Sequence, residues 1–340
     1  MKIAIVSVSK KGYDLSFKIK DLLDNDSTII KCDIYHKDVK NVFNLVFNEY
    51  DAIIAIMASG ILIRSISHLL DSKTSDPAIL NIDDNGNFVI SMLSGHLGGA
   101  NKLTSKIADL INATPVITTS TDVNKKLGID VLAKDLYLSI DNTKEILYFN
   151  KSILESKPLV FTVNSNSNYD YLFNYLNNNT LEIDVSIYFS SKVNENEIEA
   201  ECDAHKIILK PRKIVFGIGC RRGKSKEEIN NAVSKVLDDL KMDKSRINMF
   251  SSAEIKKDEQ GILELSKELN IPVNFVDLDR LKLFTSKDIQ ESDFVKSKFG
   301  IAGVCEPSAL ITAGFDSKLI YKKTAFDGVT VSVALSKNKK

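Results

Sequence analysis

At 340 residues the chain has room for two or three domains, each with its own hydrophobic core. Apolar residues at 44% and charged residues at 26% are ordinary soluble usage, which excludes wholesale disorder and a fibrous or collagen-like chain. Forty-five basic side chains balance 45 acidic ones, so no global positive field exists to hold nucleic acid or an anionic membrane, and an anion has to be met locally. The opening run Lys2–Ser7 reads as a buried strand, too short and too soon interrupted for a secretory core. No run of about 18 apolar residues follows, and the expected location is the cytoplasm.

Leu15, Ile19 and Leu22 on one face predict a helix over 13–23, and residues 52–57 read as a second buried strand. Asn85-Gly86 between the strand-like runs 79–82 and 88–93 predicts a hairpin, an antiparallel element in a sheet that otherwise reads as parallel. A helix over 100–112 and a strand over 115–119 come next. From 141 to about 210 Asn, Ser and Lys dominate, yet 158–163, 183–189 and 206–209 keep strand texture. After Pro211-Arg212 the pattern returns to strand 214–218, loop 219–224 and helix 225–240. Strand 248–252, helix 258–269, strand 273–276 and helix 288–297 complete that alternation. The expected class is α/β: two α/β domains with mainly parallel sheets, at 1–140 and 213–340, and a small α/β middle domain at 141–212.

Cys32, Cys202, Cys220 and Cys305 lie far apart, without a CxxC pair, and read as reduced thiols. His36, His68, His96 and His205 are equally scattered, so no protein metal site is expected. Only six of the 45 basic residues are arginine, and two of them, Arg221 and Arg222, are adjacent in a glycine-bounded loop. An arginine in a lysine-rich chain points to a need for the planar, bidentate guanidinium.

Four runs could carry chemistry. At 57–64 a buried strand ends in Ser59-Gly60 and starts a helix carrying Arg64, which aims backbone N–H groups at a carboxyl sheet edge where ligands bind. The plain alternative is a strand-to-helix turn with a solvated Arg64. At 94–102, Gly95, Gly98 and Gly99 allow close backbone approach, His96 titrates in the acid/base range, and Asn101 and Lys102 open a helix. Turn geometry around a hydrogen-bonded histidine would also explain them. At 217–225 a P-loop fails on count, because three residues rather than four separate Gly219 from Gly223. What survives is a basic turn at a helix start, with Gly219, Arg221, Arg222 and Lys224 suited to carboxylates or simply solvated. At 304–314, Pro307 and Gly314 bracket a short helix, and Glu306 fits capping as well as catalysis. Cys220 and Cys305 read as packing residues.

The runs GHLGGAN, GIGCRRG, KDEQGILELSKELNIPVNFV and VCEPSALITAG followed by Lys322-Lys323 together resemble the CbiG family of cobalamin-biosynthesis proteins, the cobalt-precorrin-5A hydrolases. The resemblance spans nearly the whole chain and is strongest over 50–135 and 213–335. The last unit is also similar to the free-standing protein CobE. The resemblance implies opening of the ring A δ-lactone of a cobalt-chelated tetrapyrrole and release of the C20 unit as acetaldehyde. It implies no added cofactor, because cobalt arrives inside the substrate, and no nucleic-acid or membrane partner. Neighbouring enzymes of the cobalamin pathway are the partners it suggests. A polyacid macrocycle needs an apolar cleft rimmed by cations and backbone donors. On that reading His96 is the base, amides at Gly98 and Gly99 receive an oxyanion, and Glu306 is a second acid/base or an orienting group. Ser59, Gly60, Arg64, Gly95, Asn101, Lys102, Gly219, Arg221, Arg222 and Lys224 complete the expected substrate contacts. Two alternatives stay open: a non-catalytic corrinoid carrier, and a nucleotide-binding α/β protein disfavoured by the miscounted loop.

Overall fold

The computed structural model describes residues 1–72, 75–120, 126–179, 183–290 and 293–337. The chain divides into two compact units, Met1–Ser165 with Leu181–Leu209, and Asn166–Thr180 with Lys210–Lys340. Among the described residues no helix is long and apolar enough to cross a membrane.

The first unit opens with strands β1 (Lys2–Ser7), β2 (Lys31–His36), β3 (Ala52–Ile56), β4 (Ala78–Ile82), β5 (Phe88–Leu93) and β6 (Thr114–Val116). They make one sheet in the order β2-β1-β3-β4-β5-β6. The inner strands are apolar on both sides because both sides are covered. Ile3, Ile5, Ile54 and Ile56 pack with Ile19, Leu23, Leu103 and Ile107 from helices α1 (Lys10–Asp24) and α4 (Ala100–Ile111). Ala4, Val6, Ile53 and Ala55 face Phe43, Val46, Leu62 and Ile66 from α2 (Val39–Val46) and α3 (Ser59–Ile66).

The hairpin expected at Asn85-Gly86 is present. Gly86 sits at φ 71°, and the Asp83 carboxylate accepts from the N–H groups of Asn85, Asn87 and Phe88. Strand β5 therefore runs against β4, with Ile82 opposite Val89 and Ile79 opposite Leu93. This reversal has a positional consequence. The chain leaving β3 emerges at the carboxyl edge of the parallel strands, whereas the chain leaving β5 emerges at their amino edge.

A second sheet of this unit comprises β7 (Leu138–Ile140), β8 (Leu159–Val163), β9 (Val185–Phe189), β10 (Ile198–Cys202) and β11 (His205–Pro211), in the order β7-β11-β10-β8-β9. It is preceded by α5 (Ile129–Asp135) and carries α6 (Ile146–Leu154) against β10. In α6 the residues Ile146, Phe149 and Ile153 are buried at i, i+3 and i+7, while Leu147 and Tyr148 remain 65% and 53% exposed.

In the second unit β12 (Ile214–Cys220), β13 (Met249–Ala253) and β14 (Val273–Val276) are parallel. An antiparallel hairpin, β15 (Lys318–Phe326) and β16 (Val329–Leu335), completes the order β14-β13-β12-β16-β15. The hairpin thus adds two antiparallel pairings to the parallel strands of this sheet. Helix α7 (Asp170–Asn178) belongs to this unit as well: Tyr171 lies over the buried Arg246 guanidinium at 5.2 Å, and Asn174 donates to Asp243 at 2.7 Å. Helix α8 (Lys226–Leu240) starts with a capping box between Ser225 and Glu228.

Candidate functional site

The run 94–101 forms a tight turn whose glycines are dictated by neighbours. Ser94 adopts the left-handed φ of 56°, and its carbonyl accepts from the Ala100 N–H at 3.1 Å. A Cβ on Gly98 would lie 2.6 Å from that carbonyl oxygen, so no larger residue fits without moving backbone. Gly99 sits at φ 91° with the Lys134 ammonium against its α-carbon. Asn101 is buried, accepts from the Ser91 hydroxyl at 2.6 Å and donates to Thr119 at 3.0 Å. Its side chain thus braces the turn from inside. Lys102 pairs with Asp135 at the protein surface.

His96 is held by a defined chain of donors and acceptors. The backbone N–H of Ile129 donates to Asn150 Oδ1 at 2.9 Å, which orients that amide. Asn150 Nδ2 donates to Asp130 Oδ1 at 2.9 Å, and His96 Nδ1 meets Asp130 Oδ2 at 3.0 Å. Asp130 and His96 are only 7% and 11% exposed as side chains. Burial pushes the Asp130 carboxyl up, but the His96 hydrogen bond and charge, helped by the Asn150 amide, hold it below the ordinary carboxylate range. With the Nδ1 proton directed to a carboxylate, Nε2 keeps the lone pair and is the basic nitrogen.

These side chains line a cavity of about 590 Å³. Ser94, Gly95, His96 and Leu97 form one wall, Thr119 and Ser120 a second, and Leu147, Tyr148, Lys151 and Leu154 of α6 a third. The volume is typical of small-molecule sites, and the lining is apolar with a few convergent polar groups. The N–H groups of Ala100 and Asn101 turn back to the Ser94 and Gly95 carbonyls.

The other expected residues lie elsewhere. Ser59 and Gly60 follow β3 at the carboxyl edge of the first sheet, about 16 Å, one strand length, from the turn after β5. The Ser59 hydroxyl donates to Asn81, which is itself buried and donates to the Ala55 and Met57 carbonyls. Arg64 is exposed and folds its guanidinium back against Gly60. The first unit therefore does not gather 59–64 and 95–102 into one mouth.

In the second unit the glycines of 217–223 serve packing. A Cβ on Gly217 would strike the Cys305 carbonyl, so this glycine seats helix α9 (Cys305–Ala313) on the sheet, and Gly219 leaves room for the Thr330 hydroxyl. Arg222 pairs with Asp258 at 2.8 Å and donates to the Ile255 carbonyl at 3.0 Å, which closes the loop. Lys224 pairs with Glu228 at 2.7 Å. Arg221 is exposed, and among the described residues no carboxylate pairs with it. Glu306 is 1% exposed; its two oxygens accept from the N–H groups of Gln290 and Lys323, each at 2.8 Å. Burial raises its carboxyl above the usual range against those two bonds. The arrangement ties a loop and strand β15 to α9, a bracing geometry. Burial likewise pushes the Cys305 thiol up to about 11, as suits a packing residue. Among the described residues no group of three or more His, Cys, Asp or Glu side chains is placed to hold a metal ion.

Asp130 and Asn150 are absent from the sequence reading. They stand 34 and 54 positions after His96, and an acidic residue in the first turn of a helix reads as capping.

Two family models match the chain: Cobalamin synthesis G N-terminal over residues 41–122, and Cobalamin synthesis G C-terminus over residues 214–334. A cobalt-precorrin-5A hydrolase of Priestia megaterium is 28% identical over 98% of this chain and 94% of its own. A probable cobalt-precorrin-5A hydrolase of Methanocaldococcus jannaschii is 33% identical over 98% and 99%. The protein CobE of Sinorhizobium is 27% identical over 36% of this chain and 79% of its own. Among solved structures, a cobalamin biosynthesis protein G homolog from Sulfolobus solfataricus superposes with a TM-score of 0.58 at 27% identity, covering 99% of this chain and 97% of that one.

Proposed function

The chain belongs to the cobalamin synthesis G family, and from that premise we propose that it is a cobalt-precorrin-5A hydrolase whose base is His96. The observation that carries the reading is the chain from Ile129 N–H through Asn150 and Asp130 to His96 on the wall of an apolar cavity. A carrier of corrinoid intermediates would need the cavity but not a histidine oriented by a buried carboxylate.

Nε2 of His96 takes a proton from water as its oxygen attacks the lactone carbonyl, and Asp130 stabilises the imidazolium that forms. The Gly98 and Gly99 amides, with the Lys134 charge beside them, favour the tetrahedral oxyanion. Its collapse breaks the ring ester bond, and His96 returns the proton to the departing alkoxide, leaving a carboxylate and a hydroxyl. In a second step His96 removes that hydroxyl proton. The carbon–oxygen double bond of acetaldehyde forms as the carbon–carbon bond to the macrocycle breaks, and the electron pair passes into the macrocycle, which is later protonated. Cobalt takes part as a component of the substrate.

Anaerobic incubation of the purified chain with the lactone substrate tests this. Several equivalents of acetaldehyde per chain are expected, and His96→Ala lowers turnover by about 10²- to 10⁴-fold with the fold intact. Stoichiometric retention of the corrinoid without acetaldehyde would establish the carrier instead.

A further inference from the structure

We infer that the exposed face of α6 formed by Leu147, Tyr148 and Lys151 is the shelf on which the substrate's macrocycle lies while its lactone enters the His96 cavity. The inference rests on the proposed function and names where the rest of the substrate binds.

Four observations converge. The helix buries Ile146, Phe149 and Ile153 and leaves Leu147 and Tyr148 more than half exposed, although both line the cavity. Large apolar side chains exposed at the wall of a cavity are places where a ligand completes the burial. The Tyr148 ring is not loose: it stacks on His205 with centroids 5.4 Å apart and planes 13° from parallel. His205 is held in turn by the Glu145 carboxylate at 2.9 Å. One face of the tyrosine is therefore fixed against a pinned imidazole, and what remains exposed is a rigid aromatic surface next to the base. Such a ring offers contact area with little ordering entropy left to lose.

Lys151 stands one turn further along the same helix, also on the cavity wall, with its side chain 73% exposed. Its only carboxylate among the described ion pairs is Glu155, at the limiting distance of 4.0 Å. An apolar shelf ending in an available ammonium matches a flat ring system edged with carboxylates. The opposite wall carries the donors and the base and so has to meet the reacting lactone. Of the walls of the 590 Å³ cavity, α6 is the one whose apolar residues extend into solvent, so the parts of the macrocycle that stay outside the cavity rest there.

Two readouts separate this inference from the hydrolase reading. The full chain is titrated with cobyrinic acid, a stable cobalt corrinoid polycarboxylate, and turnover is followed with the lactone substrate. Tyr148→Ala should weaken both cobyrinic acid binding and KM by about tenfold, with kcat and its pH profile unchanged. Tyr148→Phe, which keeps the ring, should retain wild-type values. Lys151→Glu should weaken both by about fivefold or more. If no acetaldehyde is released but Tyr148→Ala and Lys151→Glu still weaken cobyrinic acid binding, the hydrolase reading fails and the shelf stands. If Tyr148→Ala and Lys151→Glu bind and turn over like the wild type, the shelf is refuted while the hydrolase reading is untouched. A fall in kcat with KM unchanged also refutes it, because that is the signature of a displaced His96.

Discussion

Asp130→Asn tests the polarity of the relay directly. Asparagine has nearly the shape of aspartate, but its two terminal atoms are no longer equivalent. The Ile129 N–H fixes Asn150 with its oxygen toward the backbone, so Asn150 presents an N–H at position 130 and needs an acceptor there. The new amide must therefore turn its oxygen to Asn150 and its NH2 group to His96 Nδ1. That pairing places the lone pair on Nδ1 and the proton on Nε2, the wrong tautomer for a base facing substrate. The variant also loses the charge that stabilises the imidazolium. At a charge separation of about 4 Å and an effective dielectric near 20 this is worth about 4 kcal/mol. A loss of about 10³-fold in kcat is expected on that ground, near the effect typical for such dyads. The assay is anaerobic acetaldehyde release under saturating substrate, with thermal unfolding to verify the fold. The companion variant Asn150→Ala removes the group that dictates the amide's orientation. In the Asp130→Asn background it should recover part of the lost activity, because the amide can then turn its oxygen to His96. Turnover of Asp130→Asn within about tenfold of wild type would refute the base assignment.

The same carboxylate has a signature in stability. Because its native pKa lies below the ordinary 3.8, its contribution is fully present above that value and is lost as the pH falls through the depressed native one. Urea unfolding compared at about pH 6 and pH 3 should show the wild type losing more stability than Asp130→Asn; equal losses would mean that the pair is not formed in solution. In the second unit, Arg221→Glu should leave the unfolding midpoint unchanged, since Arg221 is exposed and among the described residues no carboxylate pairs with it. Arg222→Glu should lower the midpoint, since it sets three carboxylates together where Asp258 and Glu259 now share one guanidinium. An unchanged midpoint for Arg222→Glu would show that this pairing is not formed in solution.

What the sequence makes legible follows from the range of the forces involved. Strands buried on both faces, the Asn85-Gly86 hairpin and the helix after Gly99 are written in a few consecutive residues, and the structure has them within a residue or two. His96 stands out for the same reason, framed by glycines that a turn requires. The relay behind it does not, because Asp130 and Asn150 reach His96 only through folding, and each alone looks like a helix cap or a surface amide. The arginines show the limit of composition. Arg246 is buried against Tyr171 and Asn248, Arg212 donates to the Ser336 carbonyl, and Arg222 holds its own loop. Three of six serve the architecture, where a guanidinium's several donors satisfy backbone as readily as ligand.

The separation of Ser59-Gly60 and Arg64 from the His96 turn is a matter of topology. In open α/β sheets ligands gather at the carboxyl ends of the parallel strands, and 59–64 lies there. That rule presumes a sheet with no reversal. Strand β5 reverses direction, and the glycine turn behind it reaches the amino edge, where α5 and α6 supply Asp130, Asn150 and the apolar wall. The Asn-rich middle region is for that reason not a spacer. Its helix α6 contributes five residues to the cavity, Asn150 of the relay among them, so exchanging it for a neutral linker would remove the wall that faces His96 as surely as deleting the turn itself.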